Sequence, residues 1–163
     1  MISDFPPIER FGLREWRAVV LTNEVHGHIG IYSTLGVKMG IRALEEFVAL
    51  GLKGPVSIVS HAGLVPPVSC LNDGLQISTG STLGHGLISA APTDTPVPSA
   101  DFTCGGRTIR LSLREEFDLR IREDIQRATA QFGRTPQYWQ TVRELAVLYW
   151  GEWDRAEIFD VQK

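Results

Sequence analysis

Two alternating runs either side of Gly105-Gly106 set the tightest limit on what this chain can fold into. Across residues 101–113, F-T-C leads into the glycine pair and R-T-I-R-L-S-L leads out, with Ile109, Leu111 and Leu113 alternating against Arg110 and Ser112. Glycines in that place accept the positive φ of a tight hairpin turn, so the stretch reads as two strands joined back to back. Cys104 beside the turn reads as a packed strand residue. Residues 55–60, P-V-S-I-V-S, have the same period. Residues 87–90 start another short strand, and E-I-F-D-V near the end reads as a last one.

Between these runs the period changes to that of helices. Trp16, Val19 and Val20 place a helix at about residues 13–24, preceded by an irregular arm, residues 1–12, containing Pro6-Pro7 and Gly12. Ser33 or Thr34 would cap a second helix, with Val37, Ile41, Leu44 and Val48 on one face and Gly51 as its stop. Its Gly36 and Gly40 would let another backbone come close, at a subunit contact for instance. Ser69 would cap a helix over residues 70–77. Ser112 and Glu115 have capping-box spacing before Phe117, Ile121, Ile125, Ala128 and Phe132, which Gly133 closes. Thr135-Pro136 opens a final helix with a broad stripe of Trp139, Val142, Leu145, Ala146, Tyr149 and Trp150, read as core or interface. Helices and strands mix without a strict β-α-β-α alternation, so the expected class is α+β (mixed α/β). We expect one compact core domain over residues 13–163, with a small mixed sheet and packed helices.

Composition limits the partners. The 163 residues carry a net charge of -3 and 21% charged residues, with no block of Lys or Arg, so no nucleic acid is expected. No apolar run approaches the roughly 20 residues of a membrane span, and the first residues do not read as a signal peptide. Two cysteines, Cys70 and Cys104, are too few for a disulfide scaffold. A cytoplasmic protein with reduced thiols is the expectation.

Chemistry concentrates in three places. V-H-G-H-I-G-I-Y-S-T-L-G-V-K, residues 25–38, sets His26 and His28 either side of Gly27, a pattern of either half a metal site for zinc, nickel or iron or a helix end whose histidines cap and hydrogen-bond. H-A-G-L-V-P-P-V-S-C, residues 61–70, is a strand-to-helix loop of the kind where ligands bind, and it ends with Cys70 in a helix first turn that favours thiolate. T-G-S-T-L-G-H-G, residues 79–86, interleaves glycines with hydroxyls and His85, a pattern that serves equally as a plain tight connection or as a nest that turns its amides onto an anion.

The order of these blocks resembles the E-subunit family of formylmethanofuran dehydrogenase. That pattern has His-Gly-His-x-Cys-Pro before a Gly-rich helix start, then Cys-x-x-Asp running into Thr-Gly-Cys-Thr-x-Gly-Lys-Gly. The counterparts here are H-G-H-I-G-I at 26–31, L-G-V-K-M-G at 35–40, C-L-N-D-G-L-Q at 70–76 and T-G-S-T-L-G-H-G at 79–86. The chain departs from it at Gly30 and Ser81, where the family has cysteines, at Ile31 for proline and at His85 for lysine. With no cysteine after Cys104, the C-terminal zinc module of some members is not expected, and the core is expected alone.

The resemblance implies a homodimer with a His/Cys cleft near the subunit boundary that holds a transition metal, zinc foremost, nickel or iron otherwise. His26, His28 and Cys70 are then the candidate ligands. Asp73, Gln76, Thr79 and Thr82 are candidates for the surrounding shell, with Asp73 able to fix a histidine tautomer. The leading functional expectation is a metal-dependent enzyme acting on a small polar or anionic metabolite. Thr79, Gly80, Ser81, Thr82, Gly84 and Gln76 would hold its anionic end, and His85 or His61 would act as general acid or base. In a variant, Cys70 is a covalent nucleophile. The alternative is a non-catalytic protein that binds or delivers a metal or cofactor to an oxidoreductase.

Overall fold

The computed structural model describes residues 10–163. The organising element is α2 (Ile31–Ala49), in which every residue from Ile31 to Ile41 is buried. A helix covered on all sides lies at the centre of a fold rather than on its surface. Around it pack α1 (Leu13–His26), the short α3 (Leu71–Thr79) and α5 (Pro136–Glu152), while α4 (Glu115–Phe132) pairs with α5. The five strands are β1 (Ser57–Ser60), β2 (Ile88–Ala90), β3 (Ser99–Cys104), β4 (Arg107–Leu113) and β5 (Phe159–Gln162), in the order β2-β1-β3-β4-β5. β1 and β2 run parallel and the other neighbours antiparallel, which makes the sheet mixed and the class α+β, as the sequence indicates.

The sheet buries one face. Ile58, Phe102, Ile109, Leu111 and Phe159 point into the core, and the alternate residues Val59, Asp101, Thr108 and Arg110 lie outward. Gly105 and Gly106 both take positive φ, 56° and 76°, which gives the turn the twist its strands need. Cys104 is buried beside it.

At Gly36 and Gly74, α2 and α3 meet without side chains between them. A Cβ on Gly74 would lie 2.5 Å from the Val37 amide nitrogen and 2.7 Å from the Gly36 carbonyl carbon, both backbone atoms of α2. Gly36 and Gly40 therefore face α3 of the same chain, and the close approach expected at a subunit contact is internal. The broad stripe of α5 divides: Ala146, Tyr149 and Trp150 are buried, whereas Trp139 is 46% exposed. Val48 is exposed and does not join the buried face of α2.

Several helix starts differ from expectation. α2 begins at Ile31 with Gly30 as its N-cap, because Ser33 and Thr34 are drawn inward by a tertiary partner described below. α4 is capped by Arg114 without a side-chain bond, since Ser112 is held in β4. Cys70, preceded by a 3-10 turn at Val68–Cys70, is the N-cap of α3, with no side-chain capping bond. Thr135 does cap α5, accepting from the Tyr138 amide at 3.4 Å, and Gly133 ends α4. Residues 1–9 of the expected arm lie outside the described residues. Phe11 is core, packed edge-on against Trp150 at 5.6 Å.

A buried charge network ties these helices together. Lys38 of α2 and Glu15 of α1 are fully buried and joined at 2.6 Å. Arg155 bonds Glu15 from the other side at 2.9 Å and reaches Glu45 at 2.7 Å. The Lys38 ammonium also sits 3.6 Å from the centre of the Phe11 ring. Burial draws Lys38 down to about 8 against the opposing pull of Glu15.

Candidate functional site

The turn between α1 and α2 is built by Asn23, a fully buried amide that the sequence reading did not single out. Its Nδ2 donates to the Val19 carbonyl at 2.9 Å and to Thr34 Oγ1 at 3.2 Å. Its Oδ1 accepts from the Gly30 amide at 3.1 Å and the Ser33 hydroxyl at 2.8 Å. Four bonds from one side chain fix where α1 stops, at Gly27 with φ 89°, and where α2 begins. The one available signal was an asparagine inside a helical stretch, a residue that intrinsic preference places elsewhere.

His26 and His28 project from this turn with ring centres 4.4 Å apart. His26 Nδ1, at the end of α1, lies 2.6 Å from Asp73 Oδ2 in the first turn of α3. A carboxylate there holds the proton on Nδ1 and leaves Nε2 as the free electron pair. Nε2 in turn lies over Gly30, 3.2 Å from where a Cβ would be. Burial, then His26, then the cation of Arg143 hold His28 below the usual histidine range, which favours its neutral form.

Cys70 is half-buried, three residues before Asp73. Burial and the Asp73 carboxylate push its thiol up, outweighing the backbone hydrogen bond that favours the thiolate. The activation expected from a helix start is therefore reversed by its surroundings. Among the described residues no three His, Cys, Asp or Glu side chains converge as a group able to hold a metal ion.

The other candidates have separate settings. His61 Nε2 lies 2.8 Å from Asp101 Oδ2 on the outward side of the sheet, and Arg110 clamps both oxygens of Asp101 at 2.6 and 2.9 Å. Arg110, against the smaller cost of burial and helped by His61, holds the Asp101 carboxyl below its usual range. His85 is exposed in a 3-10 turn at Leu83–His85. Neither histidine bonds to Cys70 among the described residues.

The 79–86 loop closes on itself. The amides of Gly80, Thr82, His85, Gly86 and Leu87 donate to carbonyls of residues 76–83. Ser81 donates its amide to Thr79 Oγ1 and its buried hydroxyl to the Val56 carbonyl at 2.6 Å. Gln76 Oε1 takes the Leu83 amide at 2.9 Å. These residues hold the loop's shape, and their donors are not gathered onto a common outside acceptor. Gly84 has open space around it, with Thr82 Oγ1 at 3.9 Å the nearest atom to a Cβ there.

Fold and site together define a small α+β domain with paired histidines at a helix–helix junction, one of them held by a carboxylate from a neighbouring helix. A family model described as "FmdE, Molybdenum formylmethanofuran dehydrogenase operon" matches residues 25–160, and the chain belongs to that family. It is also 35% identical over 72 residues to a protein of Archaeoglobus fulgidus named "Probable S-adenosyl-L-methionine-binding protein". That match covers 42% of this chain and 19% of the relative, so the chain spans about a fifth of that protein's length. Among the described residues no helix is long and apolar enough to cross a membrane.

Proposed function

We propose that this chain is a metal-dependent enzyme acting on a small polar or anionic metabolite at the α1–α2 junction. The observation that carries the reading is the 2.6 Å contact between His26 Nδ1 and Asp73 Oδ2, with the His28 ring beside it. Carboxylate-held imidazole is the usual support of a metal-ligating histidine. His26 Nε2 and His28 supply two nitrogen donors and Cys70, at the start of the same helix as Asp73, supplies sulfur. That donor set suits zinc, nickel or iron. A bound ion of this kind lowers the pKa of a water and polarises a carbonyl. Asp73 fixes the tautomer of His26, and Asn23 fixes the turn that carries both rings.

Cys70 as a free nucleophile is the weaker version, because its burial and the Asp73 charge favour the thiol. Protein purified without chelator should contain roughly one transition-metal ion per chain by plasma mass spectrometry. His26→Ala should lose it, and Asp73→Asn should weaken its binding about 10–100-fold. Wild-type metal content in His26→Ala would end this reading. Pairing of two copies belongs to the same proposal and is read by light scattering.

A second reading is a non-catalytic binding protein that carries a metal or cofactor for an oxidoreductase. One observation favours it: the Archaeoglobus fulgidus relative is named for binding S-adenosyl-L-methionine. Calorimetric titration with that compound separates the two. Saturable binding without any turnover would select the carrier.

A further inference from the structure

We propose that the cavity between the His26–Gly30 turn and α5 receives the oxyanion end of the ligand, a carboxylate or phosphate, with Arg143 as its counter-charge. This rests on reading the paired histidines as a ligand site and adds where the negative end of the ligand lies. The cavity measures about 370 Å3 and is lined by Ile29, Gln140, Arg143, Glu144 and Val147. That is room for a small metabolite. Ile29 comes from the histidine turn itself, the residue after His28. The α5 residues fall at positions 140, 143, 144 and 147, the spacing of a single helix face.

The lining has one committed polar pair and one open donor. Gln140 Nε2 donates to Glu144 Oε1 at 3.0 Å, which satisfies one oxygen of that carboxylate while its charge stays in the lining, so the anion's place is on the Arg143 side. Arg143 is exposed and forms no ion pair among the described residues, which leaves its guanidinium open to a ligand. Its charge reaches His28. A guanidinium presents a planar fork of donors that matches two oxygens of a carboxylate or phosphate. Ile29 and Val147 give the carbon part of such a ligand an apolar wall. The 79–86 loop, by contrast, spends its amides on itself, so the cation beside the histidines is the better anion anchor.

The test is a set of nitrogen-proton correlation spectra of the full chain during titration with inorganic phosphate, and separately with acetate. Saturable shifts at the amides of Ile29, Gln140, Arg143 and Val147 are expected, and whichever anion binds tighter names the oxyanion class. Arg143→Ala should weaken that binding at least about ten-fold, while Arg143→Lys keeps part of it. Arg134→Ala, the same charge change on the exposed loop before α5, should leave it unaltered. The spectra themselves report whether each variant folds. Shifts scattered over basic surface residues, shifts centred on residues 79–86, or equal binding in Arg143→Ala would overturn the assignment. The metal content of the wild-type protein, measured beside the titration, separates the two proposals: cavity shifts in wild-type protein that holds no metal keep the anion site and reject the metal reading, whereas bound metal with no cavity shifts rejects the anion site alone.

Discussion

Gly74→Ala probes the contact on which the histidine site depends. The added Cβ would sit 2.5 Å from Val37 N and 2.7 Å from the Gly36 carbonyl carbon, and nearer still to the Ser33 carbonyl oxygen. These are backbone atoms, so no rotamer change relieves the clash. Restoring an ordinary separation of about 3.5 Å requires α3 to move off α2 by at least about 1 Å. Overpacking costs about 1–3 kcal/mol, and the upper end applies because the obstacle is main chain. Alanine returns about 1 kcal/mol of helix preference over glycine. The net loss of about 2 kcal/mol lowers Tm by about 4–8 °C for a domain of this length. Asp73 is the adjacent residue, and a 1 Å displacement carries its carboxylate out of range of His26 Nδ1. Thermal denaturation followed by circular dichroism reads the first effect, and the imidazole nitrogen resonance of His26 reads the second. Gly40→Ala is the comparison, because side-chain atoms of Ser78 and Thr79 stand in its way and can rotate aside. An unchanged or higher Tm in Gly74→Ala with an unshifted His26 resonance would refute the backbone-contact argument.

Three further perturbations test other parts of the molecule. Lys38 is held at about 8, below its unfolded value, so between those two values the unfolded chain binds more protons and stability rises with pH. Urea denaturation across pH 7.5 to 9.5 should show a rise of at most about 1.4 kcal/mol per pH unit that is missing in Lys38→Met; parallel curves for the two proteins reject this. Asn23→Ala strands the buried Gly30 amide, at about 1–3 kcal/mol, while the Ser33 hydroxyl keeps only the Gly30 carbonyl, and should speed amide exchange across residues 26–30. Wild-type exchange there would show that the turn holds without it. Trp150→Ala empties a site enclosed within the chain by Phe11 and should cost about 3–5 kcal/mol without altering the mass in solution. A change of mass instead would place that ring at an interface.

What the sequence disclosed follows the range of the interactions involved. The Gly105-Gly106 hairpin, the Thr135-Pro136 start of α5 and the Gly133 end of α4 depend on a few adjacent residues, and each stands where the pattern put it. The errors arise where distant groups compete. Ser33 and Thr34 have the chemistry of caps, but Asn23, about ten residues earlier, claims their hydroxyls. The 79–86 pattern of glycines and hydroxyls suits an open nest and a closed loop equally, and Gln76 and Thr79 reaching back decide for the closed one. Cys70 stands at a helix start as expected, yet a carboxylate three residues on and partial burial set its ionisation. Arg143 carried no local signal, because nothing in its own helix records that α5 lies beside the histidine turn.

The network of Glu15, Lys38, Glu45 and Arg155 also bears on the order in which the chain assembles. Glu15 and Lys38 arise in the first quarter of the molecule, and Arg155 follows the last helix. During synthesis the early helices emerge first, while the residue that completes their charge balance is still unmade. An acidic group with half its partners cannot be sealed from water cheaply. The first turn of α1, which carries Glu15, is thus coupled to the arrival of residue 155.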